Sequence, residues 1–314
     1  MQHPSTPSGE GADAVHRIVV VGAGAMGSQI GMVCALAGFG ATVTDVEPAA
    51  LDRARDQLQQ RMDRDVAKGR REIADVRAAF DRLTLSTDLA AAAASADYVI
   101  EAAVEKLDVK RALFADLDRA APPHTILATN SSSIVSSRLA DATGRPDRVC
   151  NLHFFNPALV MACVEVVRGP ATSDQTVDVS VSLARALGKV PVVLGKEIPG
   201  FVANRILNAV RDEAIFLLEN DVASVEDIDT ACRTALGYPM GPFELMDLTG
   251  IDIGYLTKID RFTESGDPRD RPSRTVTALV ERGELGRKTG RGWYSYDDTG
   301  SRSPRSTQEL TGGT

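Results

Sequence analysis

The segment from Arg17 to Asp45 constrains this chain more than any other. An apolar run, IVVVG, leads into Gly22-Ala23-Gly24-Ala25-Met26-Gly27; the helical pattern MGSQIGMVCALAGF follows, and a second apolar run, ATVTDV, carries Asp45 at its end. That order is a β-turn-α-β unit, the building block of a parallel sheet. A glycine turn alone is common structural punctuation. Between a strand and a helix, with a carboxylate about 20 residues on, it is the fingerprint of a dinucleotide site. Gly22 permits the tight turn, Gly24 lets the backbone approach a pyrophosphate, and Gly27 lets helix and strand pack closely. Ala25 and Met26 lie at the helix N-terminus, which faces the phosphates. Asp45 selects the cofactor, because a carboxylate there accepts bonds from the adenosine ribose hydroxyls and repels a 2′-phosphate. Val46, Glu47 and Pro48 supply no arginine to hold such a phosphate, so NAD is favoured over NADP.

The rest of the chain divides at Pro199-Gly200. Before it, strands are expected in LTLST, ADYVIEAA, TILATN, RVCNLHF and PVVLGKE, with a long polar helix over about 49–68 and another in VKRALFADLDRAA. Beyond it, apolar residues recur at helical spacing until a short WYSY strand. The predicted fold is an α/β Rossmann-like N-terminal domain with a mostly parallel sheet, followed by a smaller all-α C-terminal domain. Residues 1–14, rich in Pro, Ser and Gly, read as a disordered tail. The NAD-binding domain is expected over 15–197, the helical domain over 198–296, and a loose tail over 297–314.

Composition narrows the function. A net charge of −8 argues against nucleic acid as a partner. Cys34, Cys150, Cys163 and Cys232 are scattered, with no CxxC or Cys/His cluster, so no metal site is expected and reduced thiols are the plain reading. No apolar stretch is long enough to span a bilayer and the N-terminus carries no apolar signal region, so a cytoplasmic protein is expected.

Of the four histidines, only His153 stands on an apolar strand, in NLHFFNP. Such a histidine is usually a satisfied core residue. Glu165, twelve residues on in MACVEVV, changes the weighing, since a carboxylate amid Val and Cys is costly to bury without a partner. It could sit on a solvated strand face. A strand–NP turn–strand hairpin could instead bring the two together, with Glu165 fixing the imidazole tautomer and stabilising its charge. Asn130-Ser131-Ser132-Ser133 follows a strand at its carboxyl end, where open α/β sheets bind ligands, although a serine run is often only a turn or helix cap. Asn204 is an amide in an otherwise apolar helix beyond the boundary, either a structural hydrogen bonder or a substrate contact.

With these residues in place, the chain resembles the 3-hydroxyacyl-CoA dehydrogenase family. The matching segments are VGAGAMGSQIG, EAAVEKLDVK, ATNSSS, HFFNPALVMACVEVV, PGFVANRIL, GYPMGPFELMDLTG and GRKTGRGWYSY, in family order over roughly residues 17 to 296. The resemblance implies an acyl-CoA substrate, His153 as acid/base, Glu165 as its charge partner, and Ser132 and Asn204 on the substrate's 3-oxygen. It puts Asn130 and Asn156 near the nicotinamide, gives Glu105 and Lys110 cofactor contacts, and lets Lys288 reach the same site. It further implies a homodimer through the helical domain. The arm after Asp45, rich in both Arg and Asp, reads by itself as a solvated face with i,i+4 pairs. In relatives this arm covers coenzyme A, which makes Arg61 and Lys68 candidates for its phosphates. One departure is visible: Ala162 stands where many relatives have lysine, so any charge contact from that position is lost. Competing readings are a relative acting on a carrier-protein thioester or a free hydroxy acid, and an NAD-binding structural protein without turnover. The filled set of histidine, glutamate, serine and asparagine speaks against the last. Chain length of the acyl group and direction of the reaction are not legible.

Overall fold

The computed structural model describes residues 15–311; the tail expected over 1–14 lies outside the described residues, as do 312–314. The chain forms two compact units, one running to Val202 and one from Ala203 onward.

The first unit is built on eight strands, β1 (Arg17–Val21), β2 (Gly40–Thr44), β3 (Leu83–Ser86), β4 (Tyr98–Glu101), β5 (Ile126–Thr129), β6 (Val149–Phe154), β7 (Cys163–Val167) and β8 (Val190–Leu194). Their order across the sheet is β3-β2-β1-β4-β5-β6-β7-β8, parallel throughout except for the β6/β7 pair. The order reverses between β1 and β4, the switch point at which open α/β sheets bind ligands. Helices α1 (Ala25–Leu36), α2 (Pro48–Ala67), α3 (Ile73–Arg82), α4 (Leu89–Ala93), α5 (Leu107–Ala120), α6 (Ser137–Ala140) and α7 (Asp174–Ala186) accompany the sheet.

Burial explains why these strands read as continuous apolar runs: β1, β4, β5 and β6 are buried along nearly their whole length. One core joins Ile18, Val20, Ile30, Val43, Leu58 and Met62, which fastens the apolar side of α1 and α2 to one sheet face. A second joins Val19, Val99, Phe114, Leu117 and Leu127 on the other face. Each large side chain so buried contributes about 1.5–3 kcal/mol. Four of the helices were not foreseen, α3, α4, α6 and α7. Local caps mark two of them: Asp88 accepts the Ala91 N–H and Ser173 accepts the Thr176 N–H.

The unit ends after Val202, a few residues past the expected boundary, and side-chain packing gives the reason. Phe201 is fully buried with Val167 and Leu194, and the Val202 N–H donates to a Glu165 oxygen at 3.0 Å. Pro199-Gly200 lies just before the end of this unit.

The second unit contains α8 (Ala203–Glu219), α9 (Val225–Ala235), α10 (Pro242–Thr249), α11 (Ile251–Ser265), α12 (Arg274–Glu281) and α13 (Thr307–Thr311), with a two-stranded antiparallel ribbon of β9 (Tyr294–Tyr296) and β10 (Arg302–Pro304). Its core gathers Leu218, Phe243, Leu279, Trp293 and Tyr294. The expected loose tail is corrected over 297–311. β10 pairs with β9, Arg305 is buried with its guanidinium on Glu284, and Leu310 is fully buried. Strand pairing, a buried arginine and one buried apolar residue tie down a stretch that is polar in composition.

Candidate active site

The glycine turn is built as its residue types require. Gly22 has φ +103°, and a Cβ there would lie 2.6 Å from the Ala102 carbonyl oxygen. A Cβ on Gly27 would collide with the Gly22 carbonyl, whereas nothing faces the Cβ direction of Gly24. The first and last glycines let α1 and β1 approach, and the middle one leaves an open side toward which a pyrophosphate can come. Asp45 accepts the Ala23 N–H at 2.8 Å through one oxygen and the Glu47 N–H at 3.0 Å through the other. These bonds fix the carboxylate at the rim of a groove of about 560 Å³, lined by Gly22, Gly24, Asp45, Arg53, Ala103 and Val104 among others. Ala25 lines it too, while Met26 and Gly27 do not. Arg53 and the Ala103-Val104 stretch are lining residues that sequence reasoning missed. Arg53 reads as solvated helix, and only the fold brings it into the lining of this groove. The groove, its open glycine and its fixed carboxylate fit an adenine dinucleotide.

The β6/β7 hairpin sets His153 directly opposite Glu165 in the antiparallel register. Nδ1 of His153 and Oε2 of Glu165 lie 2.9 Å apart, and both residues are buried. The other Glu165 oxygen takes the Val202 N–H. Phe155 meets the imidazole edge-on at 4.5 Å and Phe201 stands at 5.5 Å. With Nδ1 engaged by the carboxylate, Nε2 is the nitrogen left for chemistry. The solvated-face reading of Glu165 is excluded by its burial.

The serine loop is sorted by Glu105. One Glu105 oxygen accepts the hydroxyls of both Ser131 and Ser133, and the other lies 3.2 Å from the Lys110 ammonium. Ser132, between them, has a hydroxyl uncommitted among the described residues. Asn151, fully buried, holds the loop from beneath: its amide donates to the Ser131 and Ile134 carbonyls and accepts the Ser136 N–H. Asn130 accepts the Phe154 N–H at 2.8 Å, and the Ser132 carbonyl accepts the Gly200 N–H at 3.2 Å. The loop is thereby tied to the residues that flank and cover His153. Burial pushes the Glu105 carboxyl up, but the hydroxyls of Ser131 and Ser133 and the charge of Lys110 outweigh it and hold the group below its ordinary range.

The Lys110 ammonium, 1% exposed, sits 2.5 Å from the fully buried Glu101 and also bonds the Ala103 carbonyl. Glu101 in turn accepts the Thr129 hydroxyl at 2.7 Å and the Ala103 N–H at 2.7 Å. The Lys110 ammonium and both Glu105 oxygens thus engage the protein itself, because a buried ion pair needs each of its lone pairs and protons satisfied. Glu101 was missed, although a charge ending the apolar run DYVIE was the available signal. Asn156 is exposed in the turn between β6 and β7, beside a cis Asn156-Pro157 bond. Arg61 turns to Asp65 at 3.5 Å, whose carboxylate also faces Arg70 and Arg71, and Lys68 is exposed at the end of α2. Near Ala162, the Lys189 ammonium bonds the Ala158 and Met161 carbonyls and supplies a cation from β8's approach. In the second unit Asn204 lies in the first turn of α8, and Lys288 holds Asp252 through both carboxylate oxygens at 2.5 and 2.6 Å. Among the described residues no group of His, Cys, Asp and Glu is arranged to hold a metal ion.

Comparison with known proteins identifies the family. Residues 17–198 match the NAD binding domain of 3-hydroxyacyl-CoA dehydrogenase, and residues 200–296 match the C-terminal domain of the same family. A probable 3-hydroxybutyryl-CoA dehydrogenase of Bacillus subtilis is 40% identical over 90% of this chain and 98% of its own length. The 3-hydroxyadipyl-CoA dehydrogenase of Escherichia coli is 41% identical over 90% of this chain and 59% of its own. The crystal structure of an (S)-3-hydroxybutyryl-CoA dehydrogenase from Ralstonia eutropha superimposes with a TM-score of 0.83 at 38% identity, covering 90% of this chain and 100% of that one.

Proposed function

This chain belongs to the 3-hydroxyacyl-CoA dehydrogenase family, and from that membership we propose how its own residues carry NAD-dependent oxidation of a (S)-3-hydroxyacyl-CoA to the 3-oxoacyl-CoA. The single observation that carries the assignment of roles is the buried His153–Glu165 pair. Glu165 accepts the Nδ1 proton, so the neutral imidazole presents Nε2 as a base toward the 3-hydroxyl. As the hydroxyl proton moves to Nε2, the imidazolium that forms is stabilised by the adjacent carboxylate. In the reverse direction Nε2 returns the proton to the forming alkoxide. Bound NAD supplies the acceptor for the C3 hydride.

Ser132 is the loop hydroxyl left to donate to the 3-oxygen, and Asn204 is its partner amide from α8. Donors aimed at that oxygen lower the barrier in proportion to the charge developing on it. Gly22, Gly24, Ala25 and Asp45 hold the dinucleotide, and Asp45 sets the preference for NAD through the ribose hydroxyls. Asn130 and Asn156 border the reacting centre. Glu105 and Lys110 are assigned to the cofactor, next to the serine loop that Glu105 holds. Arg61 and Lys68 are assigned to coenzyme A, and Lys288 to the cofactor. A homodimer through the helical unit and a cytoplasmic role in fatty acyl oxidation complete the reading. No helix among the described residues is long and apolar enough to cross a membrane.

The test is reduction of acetoacetyl-CoA followed by consumption of NADH, with NADPH and a His153→Gln variant in parallel. Turnover with NADH that the variant loses supports reaction, cofactor and base together. NADH binding without turnover of acetoacetyl-CoA would move the substrate to a carrier-bound thioester or an unusual acyl group.

A further inference from the structure

Within the helical unit, a cavity of about 370 Å³ opens beside α8, walled by Ile215, Met246, Ile251 and Val276. Apolar walls suit a hydrocarbon chain, but the charges around them are lopsided. Five basic side chains border the cavity against two carboxylates, Asp212 and Glu219. Four of the five are already occupied. Lys258 pairs with Asp212 at 2.8 Å, Arg261 with Asp270 at 2.9 Å, and Arg269 with Asp267 at 2.6 Å. Arg271 lies over the Phe262 ring at 4.6 Å. Glu219 accepts the Thr275 N–H at 2.9 Å.

Arg211 differs from the rest. Its Nη2 bonds the Thr249 hydroxyl at 3.2 Å, its Nε is buried without a hydrogen-bond partner, and no carboxylate of the described residues lies within ion-pair distance. Desolvation pulls its pKa down, with only partial relief from the charge of Asp212. A guanidinium kept in that state costs stability that a ligand carboxylate would repay through a two-pronged, charge-assisted bond.

The helix supplies the distance. Asn204, Asn208, Arg211 and Ile215 follow one another at i, i+4, i+7 and i+11, so they form one stripe along α8. Seven residues of helix separate Asn204 from Arg211, about 10 Å along the axis. Helical side chains lean toward the N-terminus, which brings the guanidinium back toward Asn204. An acyl chain whose 3-oxygen meets Asn204 would run along this stripe with its far end at Arg211.

We propose that Arg211 and the apolar cavity around it form a subsite for the terminal carboxylate of the substrate, making dicarboxylic 3-hydroxyacyl-CoA thioesters a preferred class. This rests on the reading of Asn204 as a substrate contact. A phosphate of coenzyme A is the other anion that a lone guanidinium could take, and the two predict different kinetics.

The experiment compares kcat/KM for NADH-dependent reduction of 3-oxoadipyl-CoA and 3-oxohexanoyl-CoA, which share a chain length and differ in the terminal carboxylate, with acetoacetyl-CoA as reference. The wild-type enzyme is expected to favour the dicarboxylic thioester by about 10-fold or more, the worth of one charged hydrogen-bonding contact. Arg211→Met is expected to abolish that ratio, and Arg211→Lys to retain part of it. Wild-type turnover of acetoacetyl-CoA with no preference between the six-carbon pair overturns this inference and leaves the dehydrogenase reading intact. A variant whose KM rises equally for both members of the pair assigns Arg211 to a coenzyme A phosphate and likewise overturns it. Absence of turnover with all three substrates overturns both readings. Should Arg211→Met not fold, the wild-type ratio and the lysine variant decide.

Discussion

At the scale of single residues, the proposed chemistry depends on a few side chains whose partners leave them only one task. His153 has one nitrogen on Glu165 and the other available, so a single tautomer and orientation are selected. Removing the base while keeping a polar amide, in His153→Gln, should lower kcat by about 10²–10⁴-fold, the usual worth of a positioned acid/base. Binding of NADH, read by fluorescence titration, should stay within a few-fold of wild type; near-normal turnover would take His153 out of the mechanism. Asp45 makes a different kind of contribution, since its two oxygens are pinned by backbone N–H groups at the edge of the groove. Asp45→Ala should weaken NADH binding by about 10-fold or more, the loss of hydrogen bonds to a charged acceptor. The same variant should narrow the preference over NADPH, because the repulsion of a 2′-phosphate goes with the carboxylate. Unchanged affinity would show that the ribose is held elsewhere.

At the scale of elements, the site depends on how β4, β5 and α5 are locked together. Glu101 at the end of β4 and Lys110 in α5 form a buried ion pair, Thr129 at the end of β5 joins it, and Glu105 connects it to the serine loop. Replacing Lys110 by Met would leave Glu101 as an unpaired charge in the interior. Breaking such a pair from one side costs about 3–5 kcal/mol, so urea unfolding of Lys110→Met should show a loss of that order. The double variant Lys110→Met with Glu101→Gln should recover part of it. A single variant as stable as wild type would mean that the pair bears no weight in the fold. The sequence showed the acidic and basic residues of EAAVEKLDVK but not that they face each other, since a strand, a loop and a helix contribute one member each.

At the scale of the whole molecule, pH reports on a second buried acidic group, in the helical unit. Asp247 is fixed by the N–H groups of Trp293 and Tyr294 and by the Tyr296 hydroxyl. Burial is the largest influence on it, with the charge of Asp229 adding to it, and together they raise its pKa from 3.8 to about 6 in spite of those bonds. A carboxyl that binds its proton more tightly in the native state makes ν_N exceed ν_U between the two values, so stability falls as pH rises from 3.8 to about 6. Glu105 has the opposite sign. Its pKa is lowered from 4.5, so its contribution is complete above that value and is lost as pH falls. Thermal melts across this range should therefore show Asp247→Asn removing the downward slope toward neutral pH. A melt whose pH dependence is unchanged in that variant would assign the slope to other groups.

What the sequence determined by itself was everything carried by local pattern. The glycine turn fixed the first β-α-β unit, because Gly22 and Gly27 stand where a Cβ would collide with backbone. Apolar runs fixed the parallel strands, and the change to helical spacing near Pro199-Gly200 placed the second half of the chain close to where the units divide. The pairing of His153 with Glu165 was legible as one of two options, since an NP turn between apolar runs allows a hairpin without requiring it. Tertiary structure decided what depends on chain segments far apart in sequence. It gave the hydroxyls of Ser131 and Ser133 to Glu105, turned Lys110 inward to Glu101, and packed the polar C-terminal segment through Arg305 and Leu310. Arg211 reads in sequence as one more charged residue on a helix, and only the fold shows its Nε buried beside a cavity with no hydrogen-bond partner among the described residues. Local pattern sets which face of an element is apolar; which polar groups meet across elements follows from desolvation, and that is defined only once the chain is folded.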